Sequence, residues 1–187
     1  MIIKNLKIER VQAQEQKSNL VSFIASTAAV DRMGDIIAVD GWYLDSYEKN
    51  NIVIFNHNAN ELPIGKGYVT LAEEALLIDI EFDEKDERGA EIARKCREGF
   101  LNAVSVGFNP IEAIHRSDLD DGHHAKGANG VYYAKAELLE VSIVTIPANA
   151  EAVAAKKLQD TKLDYKQIAK HILEILEEED RYIVSFA

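Results

Sequence analysis

The sequence has little cysteine, little proline and few positive charges for its 187 residues. Its one cysteine, Cys96, excludes an intrachain disulfide framework and is consistent with a reducing intracellular compartment. Lys and Arg number 21 against 32 Asp and Glu, so the formal net charge is −11. Binding to nucleic-acid phosphates requires clustered basic side chains, so this balance argues against a nucleic-acid partner and favours basic partners.

The sequence also lacks a long hydrophobic run. Its longest apolar segments, such as 52–55 and 141–146, are far shorter than the roughly 20 residues that a membrane-spanning helix requires. Nothing in it resembles a secretory signal. We therefore expect a soluble protein with no membrane segment.

What the sequence does contain is enough apolar content for one core. Hydrophobic residues make up 47% of it, and short apolar segments separated by turn signals predict a mainly β fold with flanking helices, of the α+β class. The pattern predicts one barrel of about six to eight strands. The strand candidates are 2–11, 20–24, 36–37, 51–55, 69–71, 75–82, 101–108, 111–115, 131–136 and 138–146.

Three segments have helical patterns. Residues 42–49 predict a short helix with Trp42 packed on the core, and 83–99 predict an amphipathic helix with Asp86 as N-cap and Gly99 as C-cap. Beyond residue 151, a linker rich in Ala, Lys and Gln leads to a further amphipathic pattern at 168–176. We therefore expect a barrel domain at 1–152, followed by a linker and helical tail at 153–187.

The segment 118–130 is the most polar and glycine-rich part of the chain. It has almost no apolar side chain to anchor it, which predicts the most mobile internal loop. Its adjacent His123 and His124 lack cysteine partners, and the acidic turn at 31–35 lacks the closing Glu of a calcium loop. We therefore expect no metal site and no cofactor.

Ser105 is the candidate nucleophile. It lies in an apolar strand two residues before Gly107, where backbone could approach a bound peptide. His57 follows another predicted strand and is the candidate general base, although its polar neighbours are also typical of a surface loop. A nucleophile and a base on separate strands are the beginning of a catalytic triad.

Glu140 lies in a third apolar run. Period-two geometry places Glu140 and Ser142 on one face of that strand and Leu139, Val141 and Ile143 on the other. A carboxylate in such a run requires a partner, because a buried unpaired charge is costly. Either an Arg or Lys side chain in a structural salt bridge or an imidazole would serve.

Several ordered blocks carry a resemblance to a known family. They are Ala25-Ser26-Thr27, Asp31-Arg32-Met33-Gly34-Asp35, Asn56-His57-Asn58, Pro63-Ile64-Gly65, Ala103-Val104-Ser105-Val106-Gly107-Phe108, Leu139-Glu140-Val141-Ser142-Ile143-Val144 and Pro147-Ala148-Asn149. Each block is short, but their order and spacing resemble those of the prohead proteases of tailed bacteriophages, which are related in fold to the herpesvirus capsid-maturation protease. The resemblance covers about 23–152.

This resemblance implies a compact β-barrel of the herpesvirus-protease type. It also implies a serine endopeptidase that cleaves scaffold and major capsid protein precursors inside the immature phage head, in the cytoplasm of a bacterial host. Position by position, His57 matches the family's base and Ser105 its nucleophile, while Glu140 stands where the herpesvirus enzymes use a second histidine. Assembly of the chain into a homo-oligomer is left open.

The expected mechanism follows from these residue types. His57 would take the Ser105 proton and return it to the leaving amine, while Glu140 would hold the other ring N–H. The turn at 147–150 is a candidate source of N–H groups for the oxyanion. Ser142 is the rival nucleophile, so Ser142→Ala is expected to leave most activity if Ser105 is the nucleophile.

Two other classes of function remain open. A noncatalytic capsid-associated scaffold or assembly protein would use Ser105 and Glu140 as core polar residues. A metal-dependent hydrolase would draw its ligands from the histidines His57, His115, His123 and His124.

Overall fold

The computed structural model describes residues 20–155. The predicted strand within 2–11 and the predicted helix at 168–176 lie outside these residues. The strands are β1 (Leu20–Thr27), β2 (Ile36–Ile37), β3 (Trp42–Tyr43), β4 (Ile52–Phe55), β5 (Gly65–Leu71), β6 (Ala75–Phe82), β7 (Ala103–His115) and β8 (Val131–Val144). The helices are α1 (Asp45–Lys49) and α2 (Glu87–Glu98), with 3-10 turns at Val39–Gly41 and Arg116–Asp118.

The strands form one nearly closed, barrel-like sheet, which confirms the mainly β fold with flanking helices. The hydrogen-bonded order runs β1-β6-β5-β4-β8, and β7 pairs antiparallel with the other edge of β8. The ring closes between β7 and β1 through a short segment at Val153 and Ala154. Ile24 N–H donates to the Val153 carbonyl at 3.0 Å, and Ala154 N–H donates to the Asn102 carbonyl at 2.7 Å.

These closing residues lie just beyond position 152, the expected end of the barrel domain. They pair with both neighbouring strands, through bridges from Ala154 to Phe23 and from Val153 to Ala103. The division of the chain into a domain and a tail stays a prediction, because most of the tail lies outside the described residues.

The core fills the barrel and extends beneath α2. The inward side chains of β6 and β8, such as Ile80, Val141 and Ile143, are fully enclosed. Asp86 caps α2 by accepting the Gly89 N–H at 3.0 Å, and Gly99 ends it with a left-handed φ of 84°. Both predicted caps are therefore confirmed.

The predicted helix at 42–49 is shorter in the structure. Only 45–49 is helical, as α1, because Trp42 and Tyr43 pair in parallel with β8 as β3. Trp42 packs in the core as predicted, with its ring edge-on to Phe108 at a centroid distance of 5.9 Å.

Strands β7 and β8 are longer than the sequence predicts. The predicted break at Pro110 is wrong, since β7 continues through it with register shifts beside it. A proline removes one N–H from the ladder, and a bulge absorbs that loss without ending the strand.

A second irregularity changes which side chains face the core. Gly107 pairs with Glu140 while Phe108 pairs with Leu138, so Leu139 has no partner on β7. Leu139 is 49% exposed whereas Val141 and Ile143 are fully buried, so the prediction that these three side chains share one face is wrong for Leu139. The bulge breaks the period-two alternation at this one position.

The segment 118–130 is anchored by buried side chains. Its predicted mobility depended on the premise that it has almost no apolar side chain to anchor it, and this premise is wrong. Leu119 and Ala125 are buried and form a small second core with Ile36, against which Tyr132 packs. The Arg116 guanidinium donates to three main-chain carbonyls around this core: those of Ala125 at 2.8 Å, Gly34 at 2.7 Å and Asn129 at 3.2 Å.

Candidate active site

His57 lies in a tight turn directly after β4. Asn58 N–H donates to the Phe55 carbonyl at 3.1 Å, and the two central residues, Asn56 and His57, have positive φ angles of 51° and 56°. Asn and His are among the non-glycine residues found most often in this left-handed region, but each residue held there still costs on the order of 1–3 kcal/mol. Surrounding contacts must therefore hold the turn in place.

Those contacts come from β8. Asn56 N–H donates to the Ile143 carbonyl at 2.9 Å, and His57 N–H donates to the Ser142 hydroxyl at 3.1 Å. They continue the parallel pairing of β4 with β8, in which Phe55 stands beside Ile143. The turn thus projects the His57 side chain from a fixed point on the barrel wall.

The imidazole of His57 meets the carboxylate of Glu140. Nδ1 of His57 and Oε1 of Glu140 are 2.6 Å apart. An ionised carboxylate only accepts hydrogen bonds, so Nδ1 carries a proton, and in the neutral imidazole Nε2 therefore keeps a free lone pair. The partner of Glu140 is therefore an imidazole, which answers the question that the sequence left open.

This contact also sets the protonation of His57. The hydrogen bond to Glu140 raises the pKa of His57, partial burial lowers it, and the charge of Glu140 raises it again, for a net increase. The pair is unequally exposed, with 44% of the His57 side chain and 17% of the Glu140 side chain open to solvent.

The second carboxylate oxygen of Glu140 is also occupied. The Ser142 hydroxyl donates to Oε2 at 2.7 Å. Across the sheet, Gly107 leaves room for the carboxylate, since a Cβ there would lie 2.3 Å from Oε1. Each oxygen of Glu140 therefore has a hydrogen-bond partner, and the absence of a side chain at Gly107 leaves room for the carboxylate.

Ser105 lies on β7 directly opposite Ser142. It is 7% exposed and lines a cleft of about 50 Å³. Within residues 20–155, its hydroxyl forms no hydrogen bond with His57. The structure thus joins His57 to Glu140 directly. It places Ser105 on the neighbouring strand, in register with Ser142, whose hydroxyl bonds to both His57 and Glu140.

The cleft beside Ser105 is bounded by the turn at 147–150 and by the end of β1. Ala148 and Asn149 line it together with Ser26 and Thr27. The Asn149 side chain donates to Thr27 at both its carbonyl oxygen and its hydroxyl, at 3.1 Å each. This contact holds the turn at 147–150 against the barrel.

Arg32 also holds this turn. Its guanidinium donates to the Pro147 carbonyl at 2.6 Å, and its main-chain N–H donates to the Ala148 carbonyl at 3.1 Å. The sequence pattern includes Asn149 only as part of the candidate oxyanion turn at 147–150, and it indicates no role for Arg32. Both belong to blocks that carry the family resemblance, which is the signal that could have found them.

The histidines proposed as metal ligands do not converge. Among residues 20–155, no group of three or more His, Cys, Asp or Glu side chains could hold a metal ion. His123 and His124 stack on each other at 4.5 Å and pack against Tyr132, while His115 bonds to Ser117 at 2.6 Å. Asp31 and Asp35 accept main-chain N–H groups.

Comparisons with known proteins agree with the resemblance in the sequence. The family model described as caudovirus prohead serine protease matches residues 8–164. A capsid polyprotein of Pseudomonas phage PAJU2 is 28% identical over 151 residues, which are 76% of this chain and 20% of that relative. The chain therefore spans about a fifth of the length of this curated relative. No solved structure matches. Within the described range, no helix is long and apolar enough to cross a membrane.

Proposed function

We propose that this chain, which belongs to the caudovirus prohead serine protease family, is a serine endopeptidase that cleaves scaffold and major capsid protein precursors during phage head maturation. The observation that carries this proposal is the 2.6 Å contact between His57 Nδ1 and Glu140 Oε1. It fixes the tautomer in which Nε2 can accept a proton, which is what a general base for a serine requires. Ser105 is the nucleophile in this proposal.

The reaction begins with attack of Ser105 Oγ on the scissile carbonyl. His57 Nε2 takes the hydroxyl proton and later delivers it to the leaving amine, while Glu140 stabilises the imidazolium that forms in between. In ligand-free sites the catalytic hydrogen bonds are often longer than in the substrate complex. We therefore expect substrate binding to bring Ser105 Oγ within reach of Nε2.

The oxyanion is assigned to the N–H groups of Ala148 and Asn149. Arg32 binds the carbonyls of Pro147 and Ala148, and in a trans peptide the N–H points away from the carbonyl, so both N–H groups point away from Arg32. Within the described residues neither N–H donates a hydrogen bond, and both residues line the cleft of Ser105. Two adjacent main-chain donors of this kind can stabilise a tetrahedral intermediate.

The substrates and the place of action follow from the family. The relative from Pseudomonas phage PAJU2 is a capsid polyprotein, which supports capsid proteins as partners of this chain. The formal net charge of −11 favours basic segments of such partners. The site of action is the interior of the assembling prohead in the bacterial cytoplasm, and the mechanism requires no cofactor.

Incubation with the cognate capsid precursor tests this proposal. The full chain is expected to generate new termini in the precursor, mapped by mass spectrometry, and to be labelled at Ser105 by a serine-directed phosphonate. The absence of both new termini and label would favour a noncatalytic capsid-associated protein. Activity that a chelator abolishes, without labelling of Ser105, would favour a metal-dependent hydrolase.

A further inference from the structure

We propose that Ser142 is a positioning residue of this active site, whose single hydroxyl group holds both the Glu140 carboxylate and the His57 main chain. The proposal rests on the function proposed above. It assigns to Ser142 a role in orienting the base, and it gives Ser142 no contact with the substrate.

The direction of both hydrogen bonds is determined by their partners. The Ser142 hydroxyl must donate to Glu140 Oε2, at 2.7 Å, because a carboxylate only accepts. The same oxygen must accept from the His57 main-chain N–H, at 3.1 Å, because an N–H only donates. One hydroxyl thus fixes the carboxylate and the turn that carries the imidazole.

The position of Ser142 in the sheet explains why it can serve both groups. β8 lies between β4 and β7, and Ser142 stands in register with Ile54 on one side and Ser105 on the other. Ser142 therefore lies between the strand that leads into the His57 turn and the strand that carries the nucleophile. Glu140 is two residues away on the same strand, so its side chain leaves the same face.

The same geometry argues against Ser142 as a nucleophile. Its side chain is fully buried, and its only proton is committed to the Glu140 carboxylate. This proposal predicts a different outcome for Ser142→Ala from the expectation that it leaves most activity, because alanine removes one donor from Glu140 and one acceptor from His57. An unpaired buried group is costly, so both partners are expected to move.

The movement would affect catalysis through the imidazole. Glu140 Oε2 would turn toward water, and the left-handed turn at Asn56 and His57 would lose one of the contacts that hold it. Among the described residues, Glu140 is the charged group that acts on the His57 ring. A displaced carboxylate therefore returns the pKa of His57 toward its ordinary value and lowers kcat.

The test compares three variants of the full chain with the wild type. Ser142→Ala removes the hydroxyl, Ser142→Thr restores it, and Ser22→Ala is the matched control. Ser22 donates to the Asp79 carboxylate at 2.5 Å on β1, so its loss also removes one serine–carboxylate bond from a barrel strand. Four quantities are measured: kcat per phosphonate-reactive site and KM, both on a capsid-precursor peptide, the pKa of His57 by NMR, and Tm.

For Ser142→Ala we expect kcat to fall about ten- to hundredfold, since small misplacements of catalytic groups have effects of this size. KM is expected to stay within about twofold, because the hydroxyl does not touch substrate. The pKa of His57 should fall in Ser142→Ala. Ser142→Thr should recover most of kcat. Ser22→Ala should change neither kcat nor the pKa of His57.

Other results would overturn the proposal. If Ser142→Ala lowers Tm but keeps kcat per reactive site and the pKa of His57, Ser142 is structural only. If Ser142→Thr stays as slow as Ser142→Ala while folded, the hydroxyl is not the group that matters. A wild type without phosphonate-reactive serine would end the proposed function, but the NMR comparison would still decide whether Ser142 positions His57 and Glu140.

Discussion

Ser105 and Ser142 face each other across β7 and β8, yet their hydroxyl groups have different surroundings. Ser142 is bonded on both sides, whereas Ser105 opens onto the cleft. We expect Ser105→Ala to abolish cleavage of a capsid precursor and to leave the fold intact, because loss of one small hydroxyl from a strand seldom costs much stability. Circular dichroism and precursor cleavage at equal folded concentration check this, and an active Ser105→Ala would contradict it.

The pH dependence of the rate follows from the His57–Glu140 pair. Only neutral His57 can act as a base, and its pKa is raised mainly by the hydrogen bond to Glu140. We expect kcat/KM to rise with pH through a pKa above the ordinary histidine value of about 6.5. Glu140→Gln removes the carboxylate, so it should move this rise to lower pH and also lower the plateau. Steady-state kinetics of both enzymes across pH provide the measurement. A rise of kcat/KM that stays at the same pH in Glu140→Gln would contradict this prediction.

The His57–Glu140 pair also makes stability depend on pH, in the opposite direction to the rate. The pKa of His57 is higher in the folded chain than in the unfolded one, so the pair stabilises the fold fully below the ordinary pKa. This contribution is lost as pH rises through the raised pKa. The base is therefore catalytically competent in the pH range where the pair stabilises the fold least.

Gly107 gives a test of the space around Glu140. A Cβ at this position would lie 2.3 Å from Oε1 and 2.9 Å from Cγ of Glu140. We expect Gly107→Ala to push the carboxylate away from His57 and to lower kcat about ten- to hundredfold, while the fold survives because a flexible side chain can yield.

The matched control for this substitution is Gly122→Ala, since a Cβ at Gly122 would meet nothing within 4 Å. Kinetics of both variants, with Tm measured in parallel, check the prediction. Equal activity of Gly107→Ala and Gly122→Ala would contradict it.

At the scale of elements, Arg116 ties the segment 118–130 to the barrel. Its guanidinium donates to the Ala125, Gly34 and Asn129 carbonyls, and Gly127 packs against it. We expect Arg116→Ala to increase amide hydrogen exchange throughout 118–130, because three carbonyls lose their donor, and the bonds to two of them, Ala125 and Gly34, are partly buried. Exchange in β6 is expected to stay slow.

Arg94→Ala is the control for this prediction. Arg94 pairs with Glu98 on the exposed face of α2 at 2.5 Å, and such surface pairs contribute at most about 1 kcal/mol. Mass-resolved hydrogen exchange of both variants provides the measurement. Unchanged exchange in 118–130 after loss of Arg116 would show that the small core around Leu119 holds the segment by itself.

Element identity was predictable where local signals agree with the final packing. For α2, the N-cap, the C-cap and the apolar face can all be recognised in the sequence of one short segment. In the structure Asp86 and Gly99 are the caps, and the apolar face is buried. Elements whose form depends on a neighbouring strand were predicted less well. β3 replaced the start of a predicted helix, and β7 continued through Pro110, because pairing with β8 outweighs local preference.

At the scale of the whole molecule, the barrel brings blocks that are distant in sequence into contact. His57 and Glu140 are 83 residues apart in sequence, and Arg32 and Pro147 are 115 apart. β8 is central to this arrangement, since β2, β3, β4 and β7 all pair with it.

The sequence by itself determined the fold class, the negative net charge, the absence of a long apolar run and the candidate residues Ser105, His57 and Glu140. These depend on composition and on short-range periodicity, which a single chain displays directly. The order of the short blocks also determined the family.

Only the tertiary structure decided which partner Glu140 has, that Ser142 serves both Glu140 and His57, and that Leu139 faces outward. Each depends on the register of β8 against β4 and β7, and a shift of one residue would turn every side chain to the other face. Register arises from pairing between strands that are far apart in sequence, so it cannot be deduced from the residues of one strand alone.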